Sequence, residues 1–313
     1  MHASHWPNWL LAPTMTSNST CGYQFSSEAT WFVDYVEASR ACPQSKLVTQ
    51  PNLGLLDVVY KSDDGLLSES RGWRGFARYV QHLNDKTDPS TSYKVLLVVR
   101  HGRGVHNVVM DEVGSAEWKR HWSKLEGDGN RTWYDAELVD EGVEQAKALG
   151  TFFAEGVKNM GFPVPDTLYT SPLARCLETA KLVFKGVVEG QGKPFKPIVK
   201  ELLRERLTDH TCDRRRARKW ITATYPEYEL EPAFADKDVL WHADRSESNA
   251  ENVARTQRLL EDIWKGDPGA FIALITHSFA LSSMLEVIHA PHFRVGEGVM
   301  TAFLVKGQRL GIY

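Results

Sequence analysis

Three short clusters in the chain carry side chains that could do chemistry together: Arg100-His101-Gly102, Ser171-Pro172-Leu173-Ala174-Arg175 and Thr276-His277-Ser278. Two imidazoles and two guanidiniums suit a tetrahedral oxyanion. A guanidinium donates bidentately to phosphate oxygens, which a lysine ammonium cannot do, and an imidazole can act as nucleophile, base or donor near neutral pH. Singly, each cluster has an ordinary explanation. A histidine after a strand is more often a hydrogen-bonded or capping residue, and Ser-Pro-Leu-Ala-Arg is a common helix start. Their meaning depends on whether the fold unites them.

Hydrophobic patterning identifies the elements that would do so. Val95-Leu96-Leu97-Val98-Val99 and Phe271-Ile272-Ala273-Leu274-Ile275 are continuous apolar runs, as in strands buried on both faces. Thr167 to Thr170 forms a third, shorter strand. Helices are expected over Trp73 to Leu83, Gly142 to Glu155, Pro172 to Phe184 and about Ser248 to Trp264, the third with Ser171 as N-cap and Pro172 at its first position. The turn cluster Asp88 to Ser92 precedes the first strand. Strand after helix indicates an α/β fold, a three-layer sandwich with a mainly parallel central sheet and helices on both faces.

Each chemical cluster directly follows a predicted strand. The ligand crevice of a parallel sheet lies at the carboxyl ends of its strands, so the clusters should converge there. Arg175 would sit in a first helical turn, where free N–H groups and the helix dipole favour an anion. The expected ligand is a phosphoryl group. Residues 1–90 read as an N-terminal extension packing on a domain spanning 91–313. Segments 103–135 and 206–250 fit the sheet pattern poorly and read as helical or loop cap insertions over the site.

Composition narrows the partners. With 37 basic and 40 acidic residues the formal charge is −3, which offers no footprint for nucleic acid. Four cysteines (Cys21, Cys42, Cys176 and Cys212) without CxxC spacing favour a reducing compartment. The first residues lack a basic n-region and an apolar h-region, and no stretch approaches the ~20 apolar residues of a membrane span. These features predict a soluble, cytoplasmic protein with no membrane partner, although sequons at Asn18 and Asn130 point the other way. Nothing in the sequence signals oligomeric state.

Arg-His-Gly at 100–102 with Asn107, Ser-Pro-Leu-Ala-Arg-Cys-Leu-Glu-Thr-Ala at 171–180 and Thr-His-Ser at 276–278 resembles the histidine phosphatase superfamily (phosphoglycerate mutase-like), from about Lys94 onward. Arg103-Gly104-Val105-His106, Trp118, Trp122, Gly127-Asp128-Gly129, Trp133, Arg204-Glu205 and the run His210 to Arg215 resemble the branch that holds fungal phosphomutase-like proteins. The resemblance implies a metal-independent phosphatase without cofactor, acting on a small phosphorylated substrate through a phosphohistidine. His101 would be the nucleophile, its second ring nitrogen donating to a backbone carbonyl. Arg100, Arg175 and His277 would hold the equatorial oxygens, with Asn107 as a neutral donor and Glu205 as general acid. Glu201, four residues before Glu205, shares its face if that stretch is helical and is otherwise part of an exposed acidic edge.

Several positions depart from the commoner pattern or fall outside it. Arg103 stands where Glu or Gln is usual and could serve a second anionic group, such as a diphosphate or carboxylate, or point to solvent. Gly104 deletes a hydroxyl donor. Phe279 stands where a Gly is usual and would narrow the pocket or fill core. His106 and His210 are possible substrate contacts. Cys212 beside His210 raises a metal site, but no third and fourth ligands occur at zinc spacing, so none is expected. Arg214-Arg215-Arg216 with Arg218 and Lys219 reads as a solvated helix face. The alternatives are a phosphoglycerate mutase-like phosphotransferase and a catalytically weakened phospholigand-binding protein.

Overall fold

The last seven residues of the strand ending at Arg100 are all buried, as an apolar run covered on both faces requires. In a computed structural model describing residues 22–60 and 71–311, the elements run in the order β1 (Tyr23–Ser27), α1 (Tyr35–Arg40), β2 (Lys46–Leu47), α2 (Gly72–Lys86), β3 (Thr91–Arg100), α3 (Val105–Val113), α4 (Ser115–Arg120), α5 (Asp140–Glu155), β4 (Thr167–Thr170), α6 (Ala174–Gly190), β5 (Ile198–Val199), α7 (Arg218–Thr224), β6 (Glu229–Leu230), α8 (Asn249–Gly266), β7 (Phe271–Thr276), α9 (Ser278–Val287), β8 (Arg294–Val295) and β9 (Met300–Arg309).

The main sheet has seven strands in the order β1-β9-β3-β7-β4-β5-β6. From β3 to β6 all neighbours are parallel, whereas β9 runs antiparallel to both β3 and β1. The fold is therefore α/β with a mainly parallel sheet flanked by helices. The chain leaves β3 toward β4 on one side and leaves β7 toward β9 on the other. Right-handed crossovers put α5 and α6 on one face and α8 and α9 on the opposite face. Adjacent strands whose connections diverge in this way open a crevice at their carboxyl ends. Register aligns that crevice, because Arg100 lies opposite Thr276 and Thr170 opposite Ile275, so His101, His277 and Ser171 emerge side by side.

Several element boundaries differ from expectation. Helix α6 begins at Ala174 rather than Pro172 and runs to Gly190. Ser171 is not its N-cap. The Ala174 N–H is instead taken by the Asp135 carboxylate, 2.9 Å away and distant in sequence. Strand β3 starts at Thr91, inside the expected turn. The predicted helix near Ser248 is present, with Ser248 and Glu251 forming a capping box.

The described residues before 91 do more than cover the core. Strand β1 extends the sheet edge along β9, and β2 pairs with β8. Phe25, Tyr35 and Trp73 share one apolar cluster with Val95 and Leu274. Only Phe25 of β1 is buried, so this edge strand leaves almost no periodic trace in the sequence. The N-terminal segment, with Asn18 and Cys21, lies outside the described residues. Among the described residues, no helix is long and apolar enough to cross a membrane. Segments 103–135 and 206–250 meet over the crevice, where Val109, Trp118, Trp133 and Cys212 form a separate cluster.

Candidate active site

His101 leaves the end of β3 fully enclosed, with Nδ1 2.7 Å from the carbonyl oxygen of Gly102. Only the tautomer carrying the Nδ1 proton can make that bond, so Nε2 keeps its lone pair. The Arg175 Nε–H donates to that nitrogen over 3.2 Å. Burial, then the charges of Arg175 and Arg100, hold the His101 pKa well below the ordinary imidazole range. The site thus offers a neutral nitrogen nucleophile beside guanidiniums that hold their protons and so do not protonate it.

Both arginines are fixed by acceptors. Arg100 donates to the Val295 carbonyl at 2.6 Å and pairs with Glu297 at 2.8 Å. Its buried Nε–H has no partner within the protein, a donor that an oxyanion would satisfy. Arg175, at the start of α6, donates to the Cys212 carbonyl at 2.8 Å and lies 3.4 Å from the Asp213 carboxylate. His277 is completely buried, with its ring centroid 5.0 Å from that of His101 and Nε2 2.8 Å from Ser171 Oγ. It does not line the cavity surface and stands behind the first imidazole.

Glu205 is placed by two helices. Its carboxylate accepts from the N–H groups of Phe279 at 3.0 Å and Ala280 at 3.1 Å, the first turn of α9, and lies 3.3 Å from Ser278 Oγ. From α8, Arg255 donates to the carbonyls of Leu202, Arg204 and Glu205 and to Glu247, clamping the turn. Burial, then repulsion from Asp213, pushes the Glu205 pKa up, against the Arg206 N–H and the two arginines. A carboxyl raised in this way is suited to donate a proton.

Arg100, His101, His106, Asn107, Arg175, Glu205, His210 and Phe279 line one cavity of about 560 Å³. His106 is 5.7 Å from His101 between ring centroids, and its buried Nδ1 is unpartnered. The Asn107 Oδ1 accepts from the Gly104 N–H and closes the first turn of α3, leaving its amide donors. Phe279 is 50% exposed and lines the cavity instead of filling core, and the Arg206 guanidinium stacks on it at 4.7 Å. His210 packs against Trp118.

Other expectations fail locally. Arg103 does not reach the cavity, because Asp111 and Glu141 take its guanidinium. Glu201 is no exposed edge but a buried partner of Arg215 and Arg204. The basic run is not a helix face, since α7 begins only at Arg218 and Arg215 is fully buried. The α6 N-terminus is not a free anion site either, because Asp135 already occupies its first N–H.

The residues missed at the sequence level are supports: Ser171 under His277, Asp213 beside Arg175, Glu297 on Arg100, Asp135 and Arg255. Arg255 left a trace, because it falls in the buried stripe Asn252, Thr256, Leu259, Leu260 and Ile263 of α8. Backbone approach matters as much. A Cβ on Gly102 would meet the Gly142 carbonyl oxygen at 2.3 Å, and one on Gly142 would meet the Arg103 oxygen at 2.1 Å. The start of α5 thus backs directly onto the loop after His101.

The profile of the histidine phosphatase superfamily (branch 1) matches residues 96–294. The chain belongs to that superfamily. It is 41% identical over 266 residues to a "Probable phosphoglycerate mutase" of Arthroderma benhamiae, covering 84% of this chain and 79% of that protein. A second relative, the "Probable phosphoglycerate mutase PMU1" of Saccharomyces cerevisiae, is 30% identical over 246 residues, covering 72% of this chain and 83% of the other. A phosphoglycerate mutase from Bacillus anthracis resembles it in structure at 18% identity with a TM-score of 0.44, over 71% of this chain and 94% of that one. The superfamily and the mutase names of the two sequence relatives identify an enzyme of phosphoryl chemistry.

Proposed function

We propose that this superfamily member is a metal-independent phosphatase that hydrolyses a phosphate ester of a small molecule through a phosphohistidine. The observation that carries the reading is His101 itself, its Nδ1 proton tied to Gly102 O and its Nε2 lone pair aimed among guanidinium donors. Nε2 attacks phosphorus, the P–O ester bond breaks, and the leaving oxygen takes the Glu205 proton. Water then attacks the phosphorus, gives its proton to the Glu205 carboxylate, and the P–N bond breaks. Ester and water become alcohol and phosphate. Arg100 and Arg175 offset the charge on the transferring group, with Asn107 as a neutral donor, while the neutral, buried His277 backs the His101 ring.

Water access favours hydrolysis over a mutase cycle, because the cavity mouth is edged by the exposed side chains of Lys119, Phe279 and Arg294. Residues 91–313 would form the catalytic domain, with the extension contributing Lys46 to the cavity wall. The unpaired Cys42, Cys176 and Cys212 support a reducing, cytoplasmic setting.

The test is hydrolysis of an aryl phosphate in excess chelator. Turnover that persists there, disappears in His101→Ala and passes through an acid-labile, base-stable phosphoenzyme supports the reading. Loss of turnover on chelation overturns it. Conversion of a phosphoglycerate that requires a bisphosphate primer, with negligible hydrolysis, would establish the mutase instead.

A further inference from the structure

Two ligating side chains beside the cavity have no part in the chemistry above, His210 and Cys212. A third, Asp213, accepts from Thr208 Oγ1 at 2.6 Å through one oxygen and lies 3.4 Å from Arg175 through the other. Their ligand atoms lie within 4.8 Å of one another, with Cys212 Sγ 3.8 Å from an Asp213 oxygen, and all three residues line the cavity. We propose that His210, Cys212 and Asp213 form an inhibitory site for a thiophilic divalent cation such as Zn²⁺.

The donor set supports this assignment. Imidazole, thiolate and carboxylate with one open position is a zinc-type shell, and a sulfur ligand selects against Mg²⁺ and Ca²⁺. Tetrahedral bonds of ~2.0–2.3 Å place ligand atoms ~3.3–3.8 Å apart, so ligand atoms within 4.8 Å of one another need only a small closure. His210 can supply that movement, because its side chain is partly exposed and precedes a single 3-10 turn, Thr211–Asp213. The contiguity of these ligands hides them from a search for separated zinc pairs.

On binding, the Cys212 S–H bond is replaced by an S–metal bond and its proton goes to solvent. Asp213 turns from Arg175 to the metal. The fourth position faces the cavity, where water or a phosphate oxygen completes the shell. The site lies beside Arg175 and not on the nucleophile, so occupancy weakens the phosphate cradle and competes with turnover without supplying a catalytic metal.

The test begins with full-length protein cleared of metal and titrated with Co²⁺. One equivalent should bind with tetrahedral visible bands and a thiolate-to-cobalt band in the near ultraviolet. Zn²⁺ should displace it and Mg²⁺ should not. Cys212→Ser should lose the near-ultraviolet band and bind Zn²⁺ at least tenfold more weakly, and its turnover should resist Zn²⁺ by a similar factor. If circular dichroism shows Cys212→Ser unfolded, His210→Ala serves in its place and should weaken Zn²⁺ binding equally. Absence of stoichiometric cobalt binding, undiminished binding in the folded variant, or binding without inhibition of turnover overturns the proposal. The cobalt titration reads the site whether or not the protein hydrolyses esters, so its failure is separate from failure of the phosphatase reading.

Discussion

Replacing Glu205 with Gln removes the proton donor while keeping size and hydrogen-bonding shape. General acid catalysis is worth ~10²–10⁴ in rate, or about 2.7–5.4 kcal/mol at 1.36 kcal/mol per tenfold. The loss must depend on the leaving group. In kcat/KM, which reads the first step, an alkoxide has to be protonated as it departs and should suffer the full factor, whereas nitrophenolate leaves unaided and should lose far less. A structural cost accompanies this. Oε1 accepts from Phe279 N, Ala280 N and Arg206 N and a Gln keeps that oxygen, but its amide nitrogen replaces Oε2, which lies 3.3 Å from Ser278 Oγ and Phe279 N, and the lost acceptor should cost ~0.5–1.5 kcal/mol. Because burial raises the Glu205 pKa, the acid form persists to higher pH than in a free glutamate. Wild-type kcat/KM for an alkyl ester should therefore fall as pH rises through that pKa, and Glu205→Gln should lack this alkaline limb. The assay is steady-state kinetics on alkyl and nitrophenyl phosphates across pH, with urea unfolding for stability. An equal loss on both ester types, or an unchanged alkaline limb, would refute the role.

Ser171→Ala removes the oxygen 2.8 Å from His277 Nε2; one hydrogen bond of ~0.5–1.5 kcal/mol predicts kcat down threefold to tenfold, roughly, with KM little changed. Gly142→Ala should force the 102–104 loop away from α5, costing ~1–3 kcal/mol by overpacking and cutting kcat more than a surface Ala substitution does, as thermal unfolding and kinetics would show. Asp238, bonded to Arg204 at 2.6 Å and 2.8 Å, has its pKa lowered from 3.8 to about 2, with burial opposing the shift and Arg204 leading the groups that lower it. A depressed carboxylate stabilises the fold above its ordinary pKa and loses that contribution as pH falls toward about 2, a span of about 2 kcal/mol. Urea unfolding between pH 5 and pH 2, roughly that window, should show this loss in wild type and not in Asp238→Asn.

Strands β3 and β7 were legible because each carries a continuous apolar run that ends in a polar cluster, and the shorter β4 because it precedes Ser171-Pro172 in the same way. The candidate nucleophile, its arginines and Glu205 were legible from residue types in a family order. What failed to show were relationships across sequence. Asp135 caps a helix from 39 residues away, and no local propensity encodes that. Arg215 and Glu201 look like solvated charges because hydropathy scores each alone, whereas burial is tolerated only when both are present and hydrogen-bonded. Edge strand β1 buries a single side chain, so its signal is backbone pairing with β9, which the sequence does not display.

That pairing bears on how the protein could be shortened. Cutting the chain before Thr91 would leave the β3–β9 half of the sheet with a bare ten-residue rim, a template on which copies could zip together. It would also strip Lys46 from the cavity wall. Strand β1 thus covers part of the edge of its own sheet, and solubility should be the first property lost on trimming it.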